Sequence, residues 1–287
     1  EVASLAAAGV KEVTLLGQTV NSWHEPEDAR PGLRAPSGSR FAALLRRIAA
    51  EVPALARLRY TSPHPRHVTP ALIAAHAELP ILPAHVHLPA QSGSDRMLRR
   101  MSRRYTRAAY LERARALQGA REGLTLSTDL IVGFPGESDD DFEQTIALVR
   151  EVGFVAAFCF KFSPRPGTPA LGLGDDVPEE VKDARLRRLF EVLAELQGAH
   201  LASLVGTRTR VLVEGPSEVE GRFMGRSERG EIVHLEPAPG MDPVGQLVEI
   251  EIHRAYRHSL FGAPPGIEPR AEPPRKRALP LLVGGAG

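Results

Sequence analysis

One pattern constrains this chain more than any other. Five times, a short apolar run ends in polar or glycine-rich residues: "EVTLLGQ" (12–18), "ARLRYTSPHP" (56–65), "AHVHLPAQSGS" (84–94), "LTLSTDLIVGFPGE" (124–137) and "VAAFCFKFSPRPGTP" (155–169). Helical segments separate them: Phe41 to Glu51, Pro70 to Glu78, Asp95 to Met101, Arg107 to Arg121 and Asp139 to Val152. Strand and helix in alternation predict a parallel sheet with helices outside it, in which a site forms where the strands' carboxyl ends gather. The last helix is the best marked. Ser138 and Asp141 match a capping box, acids fill the first turn, and Phe142, Ile146 and Val149 recur at helical spacing.

The pattern changes after a long amphipathic segment over 177–206. "TRVLVEG", "GRFMGRS", "GEIVHLE" and "QLVEIEIHRAYRHSLFG" are short strands punctuated by turn residues, which predicts a small antiparallel β-barrel. The expected domains are therefore an α/β partial barrel over 1–204, a small barrel over 205–262, and a disordered proline- and glycine-rich tail over 263–287. The segment 24–40 reads as a polar surface loop. The chain opens at Glu1 inside "EVASLAAAGV", patterned like the end of a helix, and so reads as part of something longer.

With 43% hydrophobic and 25% charged residues, the 287-residue chain has a globular composition. Its apolar runs fall far short of the ~18 residues of a membrane span. No basic segment leads into an apolar one at the start, so a cytoplasmic location is expected. The formal net charge of +1 places any argument for nucleic acid on local clusters. Cys159 is the one cysteine, which excludes an intrachain disulfide and a metal cluster held by several thiolates of this chain. Between Phe158 and Phe160, it reads as a core residue.

Gln91-Ser92-Gly93-Ser94 offers donors and acceptors at a strand mouth, with Ser94 placed to cap the next helix; the plain reading is a capped strand-to-helix loop. Arg103 follows twelve residues beyond Gln91, and Asp129 lies within the fourth run. An arginine can grip a carboxylate with two hydrogen bonds, and an aspartate can accept both hydroxyls of a ribose or pair with an arginine. Gly133 and Gly136 permit close backbone approach to a flat ring, or make a turn. Arg96, Arg99, Arg100, Arg103, Arg104 and Arg107 form a dense basic run, read either as a solvated helix face or as phosphate contacts. His64, His67, His85 and His87 raise the rival of a metal-dependent barrel hydrolase. That rival would want histidines at later strand ends, whereas the later ones are His200 in the long helix and His234, His253 and His258 in the small barrel.

Together, "GVKEVTLLGQTVNS", "HLPAQSGSDRMLRRMSRRY", "STDLIVGFPGESDDDFEQT", "FKFSPRPGTPA" and "DDVPEEVKDARL" resemble the radical S-adenosylmethionine (SAM) methylthiotransferases. The nearest branch is the bacterial tRNA-2-methylthio-N6-dimethylallyladenosine synthases. The resemblance implies a radical-SAM partial barrel followed by a TRAM domain, with Gln91, Arg103 and Asp129 holding SAM. Gln18, Ser62, Ser92 and Gly133 are further candidates for that pocket. It implies a methylthio group added to C2 of an isopentenylated adenosine beside the anticodon. Threonylcarbamoyladenosine, a ribosomal protein, or a non-catalytic RNA-binding role are the alternatives. The intact family protein carries two 4Fe-4S clusters, one on a three-cysteine loop. That loop has no counterpart in this sequence, so no cluster and no activity are expected of the chain itself. Thr19 stands where the family usually has asparagine. The implied partner is a tRNA anticodon stem-loop, bound by a monomer through Arg208, Arg210, Arg222, Arg226, Arg229, Arg254 and Arg257, with no membrane involved.

Overall fold

A computed structural model describes residues 1–24, 37–164, 167, 169–174, 176–219, 221–238 and 240–267. Most of the loop expected over 24–40, and the tail from 268 onward, lie outside these residues. The first part runs α1 (Val2–Ala7), β1 (Glu12–Leu15), α2 (Ser37–Glu51), β2 (Arg57–Tyr60), α3 (Pro70–Glu78), β3 (His85–His87), α4 (Asp95–Arg100), α5 (Arg107–Ala120), β4 (Thr125–Val132), α6 (Asp139–Val152) and β5 (Ala156–Lys161). The second comprises α7 (Glu179–Ser203), β6 (Arg208–Pro216), β7 (Phe223–Arg226), β8 (Ile232–Leu235), β9 (Leu247–Ala255) and β10 (Leu260–Ala263). Among the described residues, no helix is long and apolar enough to cross a membrane.

All five strands of the first part run parallel to their neighbours, but they form two sheets, β1-β2 and β3-β4-β5. Between β2 and β3 the ladder is interrupted. Pro80 and Pro83 precede β3 and have no N–H to donate, and one backbone bond, Leu58 N–H to Ile81 C=O at 2.9 Å, spans the base of the gap. A cavity of about 200 Å³ opens there, lined by Arg59, Tyr60, His76, Pro83, His85 and His87 among others. The helices pack behind the sheets through a core that includes Phe41, Leu45, Leu58, Tyr110, Leu126 and Phe154.

The capping box at α6 is formed as expected. The Ser138 hydroxyl accepts from Asp141 N–H, and the Asp141 carboxylate accepts from Ser138 N–H at 2.9 Å. Asp141 also receives hydrogen bonds from Ser94 Oγ and Arg96. Burial works to raise its pKa, but these bonds outweigh it and hold the carboxyl well below the usual range. Arg96 thus latches α4 to α6, Arg100 donates to the Pro135 carbonyl, and Arg107 pairs with Glu151. Half of the dense arginine run is structural.

The small barrel closes in the order β10-β8-β7-β6-β9 around Val211, Val213, Val233, Leu235, Ile250 and Ile252. Its pairs are antiparallel except β10 with β8, which is parallel, a departure from the all-antiparallel expectation. α7 reaches this core through Leu201. The β7–β8 turn docks against the amino ends of the larger domain's strands. There Arg57, 4% exposed, pairs with Glu12 and donates to the carbonyls of Arg210, Arg226 and Ser227. Arg59 also donates to the Ser227 carbonyl, Arg229 reaches the carbonyl of Gly123 at 2.8 Å, and Arg121 pairs with Glu228.

Candidate functional site

The segments that follow β2 and β3, Asp129 of β4 and the turn after α4 come together on one side of the sheets. Non-glycine residues with left-handed backbone occur, among the described residues, at Ser62 (φ 52°), Gln91 (φ 68°) and Ser102 (φ 57°). Such geometry costs about 1–3 kcal/mol at each position and concentrates where a site needs it. All three lie at this rim: Ser62 just after β2, Gln91 just after β3, and Ser102 immediately before Arg103.

Gln91 is 9% exposed and adjoins Asp129 through the backbone, its N–H donating to the Asp129 carbonyl at 2.8 Å. The segment before it is fixed from outside, since Tyr110 Oη donates to the Leu88 carbonyl and Tyr105 Oη to that of Ala90. Thr128 Oγ1 accepts from Ala90 N–H at 2.9 Å. Asp129 presents Oδ1 to His87 Nε2 at 3.2 Å, with its side chain 28% exposed. The guanidinium of Arg103 has a buried Nε without a hydrogen-bond partner among the described residues. His64 stacks edge-on against Tyr105 at 5.5 Å, and burial first, then the charges of His67, Arg103 and Arg66, lower its pKa to about 4. Fully buried Asn21 clamps this loop, donating to the His64 carbonyl and accepting from His64 N–H.

The other expected pocket residues divide. Gln18 and Ser62 lie just beyond the ends of β1 and β2, and both are exposed. Ser92 does not face the cleft side chains: it is 1% exposed, within 3.3 Å of Thr145 Oγ1 and accepting from Ser94 N–H. Gly133 lies under Lys182, whose Cγ would be 2.3 Å from an added Cβ, and donates its N–H to Glu137. Its positive φ of 69° and tight cover make it a turn glycine latched by α7, where Arg185 pairs with Glu137 and Asp139. Cys159 is half-buried and packs against the main core from the face of β5 opposite Phe158 and Phe160, which turn outward, 62% and 54% exposed. Burial, then the nearby Asp129 charge, pushes its thiol up to about 12.

Two arginines expected at an RNA surface are corrected by the structure. Arg222 is buried, stacked 4.2 Å over Phe261 and paired with Glu236, so it holds the small barrel together. Arg229 faces the larger domain through Gly123. Arg210 pairs with Glu228 beside the same junction, and Arg226 pairs with Glu214. Arg208, Arg254 and Arg257 remain exposed, the first beside Glu251 of the neighbouring strand.

Residues 1–149 match the radical SAM superfamily and residues 202–264 match the TRAM domain. A Sorangium cellulosum protein named tRNA-2-methylthio-N(6)-dimethylallyladenosine synthase is 56% identical over 100% of this chain and 62% of its own length. A Geobacter sulfurreducens protein of the same name is 46% identical over 91% of this chain and 56% of its own. The chain thus spans roughly three-fifths of the curated relatives it matches. The solved coproporphyrinogen III oxidase of Escherichia coli, a radical SAM enzyme, aligns at 13% identity with a TM-score of 0.40, over 68% of this chain and 56% of that one.

Proposed function

Since the chain belongs to the radical SAM superfamily, we propose that it is the SAM-binding partial barrel and RNA-holding domain of a tRNA methylthiotransferase. The observation that carries this reading is the strained rim of Ser62, Gln91 and Ser102 around an arginine with an unpartnered Nε and an aspartate with an open oxygen. These groups fit SAM. Arg103 has donors to spare for the amino-acid carboxylate, Asp129 can accept the ribose hydroxyls, and Gln91 has a side-chain amide with no hydrogen bond among the described residues. When bound, SAM supplies the radical-forming and methyl-donating chemistry; the chain's part is to bind and orient it. Cys159, single and held protonated, does not fit a cluster site, so the iron–sulfur clusters of such an enzyme are not assigned to these residues.

The substrate that this reading favours is N6-isopentenyladenosine beside the anticodon of a tRNA, modified at C2. The names borne by relatives at 46% and 56% identity favour it over threonylcarbamoyladenosine or a ribosomal protein. The left-handed backbone at Ser62, Gln91 and Ser102, with the open polar groups of Arg103 and Asp129 beside it, favours an enzyme over a purely RNA-binding module. The anticodon stem-loop would be held by exposed basic residues of the small barrel, and the cytoplasm is the compartment in which this reaction belongs.

Titration of the chain with S-adenosylhomocysteine tests the cofactor half: Asp129→Asn and Arg103→Met should each weaken binding about tenfold or more, and unchanged affinity in both refutes it. For the RNA half, the triple variant R208Q/R254Q/R257Q should bind an anticodon stem-loop more weakly and with a shallower salt dependence, by up to about one counterion for each phosphate no longer neutralised. An unaltered salt slope would remove RNA from this face.

A further inference from the structure

His85 and His87 alternate on β3, both lining the cavity between β2 and β3, beside the alternating Thr125, Ser127 and Asp129 of β4. The register pairs His85 with Thr125 and His87 with Ser127. Five side chains consequently stand in file. Thr125 Oγ1 is 2.9 Å from His85 Nδ1, His85 Nε2 is 2.9 Å from Ser127 Oγ, and Ser127 Oγ is 2.9 Å from His87 Nδ1. His87 Nε2 then approaches Asp129 Oδ1 at 3.2 Å, and the ring meets Phe158 edge-on at 5.9 Å.

The chemistry of these groups gives the file a direction. An ionised carboxylate oxygen has no proton to give, so the nitrogen facing Asp129 carries one, and in that tautomer Nδ1 is the accepting nitrogen. Ser127 must donate to that nitrogen, which leaves its oxygen to accept from His85 Nε2–H. His85 Nδ1, at 2.9 Å, is the nearer of two acceptors for the Thr125 hydroxyl, the other being the Ala84 carbonyl at 3.3 Å. From Asp129 back to His85, each donor then meets one acceptor. Burial, with the adjacent charge of Arg59, keeps His85 neutral with its pKa lowered to about 3, as the arrangement requires.

We propose that His87 is a positioning residue for Asp129: it engages Oδ1 at the end of this file and so presents Oδ2 to the hydroxyls of the ligand. This deepens the SAM reading above and rests on it. It also accounts for two histidines, spaced like metal ligands, whose ring nitrogens are engaged within the protein. A carboxylate held by a ring that is itself held at Nδ1 loses little rotational freedom on binding, and such outer partners commonly tune the group they hold.

The first test needs no ligand. Imidazole nitrogen shifts of the labelled chain should report Nε2–H tautomers for both His85 and His87; an Nδ1–H tautomer at His87 overturns the file. The second measures S-adenosylhomocysteine affinity in H87F, H87Q, S127A and D129N. H87F should weaken binding about tenfold, H87Q, which keeps a donor, should recover most of that, and H87F/D129N should be no weaker than D129N alone. S127A, a deletion of one hydroxyl, should release the His87 tautomer and weaken binding by a smaller factor, which serves if H87F does not fold. Weak binding in D129N with wild-type affinity in H87F and S127A overturns the positioning role and leaves the SAM site standing. Wild-type affinity in D129N alone also overturns the positioning role, and wild-type affinity in both D129N and R103M overturns the SAM site with it.

Discussion

Replacing Arg57 with methionine removes a guanidinium from the junction between the two domains while keeping an unbranched apolar stem. The side chain is 4% exposed and reaches four acceptors: Glu12 Oε2 at 3.1 Å and the carbonyls of Ser227 at 3.1 Å, Arg210 at 3.3 Å and Arg226 at 3.3 Å. The four are not equally dependent on it. Arg59 also donates to Glu12 at 3.0 Å and to the Ser227 carbonyl at 3.2 Å, so these two keep a charged donor. The loss therefore falls on the carbonyls of Arg210 and Arg226 and on one arm of the ion pair. At roughly 1–3 kcal/mol for each buried group left unpaired, and with water reaching part of the seam, the change should cost about 3 kcal/mol. Urea denaturation followed by the single tryptophan, Trp23 in the larger domain, and by far-ultraviolet circular dichroism should then cease to coincide, and amide exchange should accelerate at Ser227 and Gly230. A loss below about 0.5 kcal/mol with coincident transitions would show that the junction does not depend on this arginine.

Two further outcomes follow from packing and titration. Gly93→Ala would put a Cβ 2.3 Å from the Gln144 carbonyl oxygen and 2.6 Å from Thr145 Cα, both backbone of α6, so thermal unfolding should show a loss of about 3 kcal/mol, and a loss under 1 kcal/mol would mean the helix yields easily. His85 and His76 are held neutral, chiefly by burial, with pKa values lowered to about 3 and about 4; the unfolded chain binds their protons near pH 6.5, so their contribution is complete above that pH and is lost as pH falls from there toward 4. Each should cost about 2 kcal/mol between pH 7 and pH 5, measurable as a falling urea midpoint, and a midpoint independent of pH over that interval would contradict their neutral burial.

The periodic features were the legible ones. α6 stands over Asp139–Val152 with its capping box because cap, first-turn acids and apolar spacing all agree locally. The strand-end polarity likewise pointed to the face where Gln91 and Asp129 adjoin. Long-range commitments were not legible. Nothing local distinguishes Arg222, stacked on Phe261, from exposed Arg257, or tells that Arg229 will meet Gly123 from 106 residues away. The split between β2 and β3 was signalled only by Pro80 and Pro83. The His85–Ser127–His87 file needs the β3–β4 register, which two separate strands do not announce. Asn21 lay inside a quoted motif, but its role as the clamp on His64 depends on a partner 43 positions on.

The interrupted ladder leaves the larger domain as two plates, and the β7–β8 turn touches both: Arg57 and Arg59 come from the β1-β2 plate, Arg121 and Gly123 from the approach to β4 in the other. Mechanically, the small barrel is a staple across an open seam. Across the gap the plates are joined by the Leu58–Ile81 backbone bond and by the helical core behind them rather than by a ladder, and the small barrel adds a further tie at the foot. A force borne by the small barrel would be delivered to that foot and levered toward the opposite rim, where Ser62 belongs to one plate and Gln91 to the other.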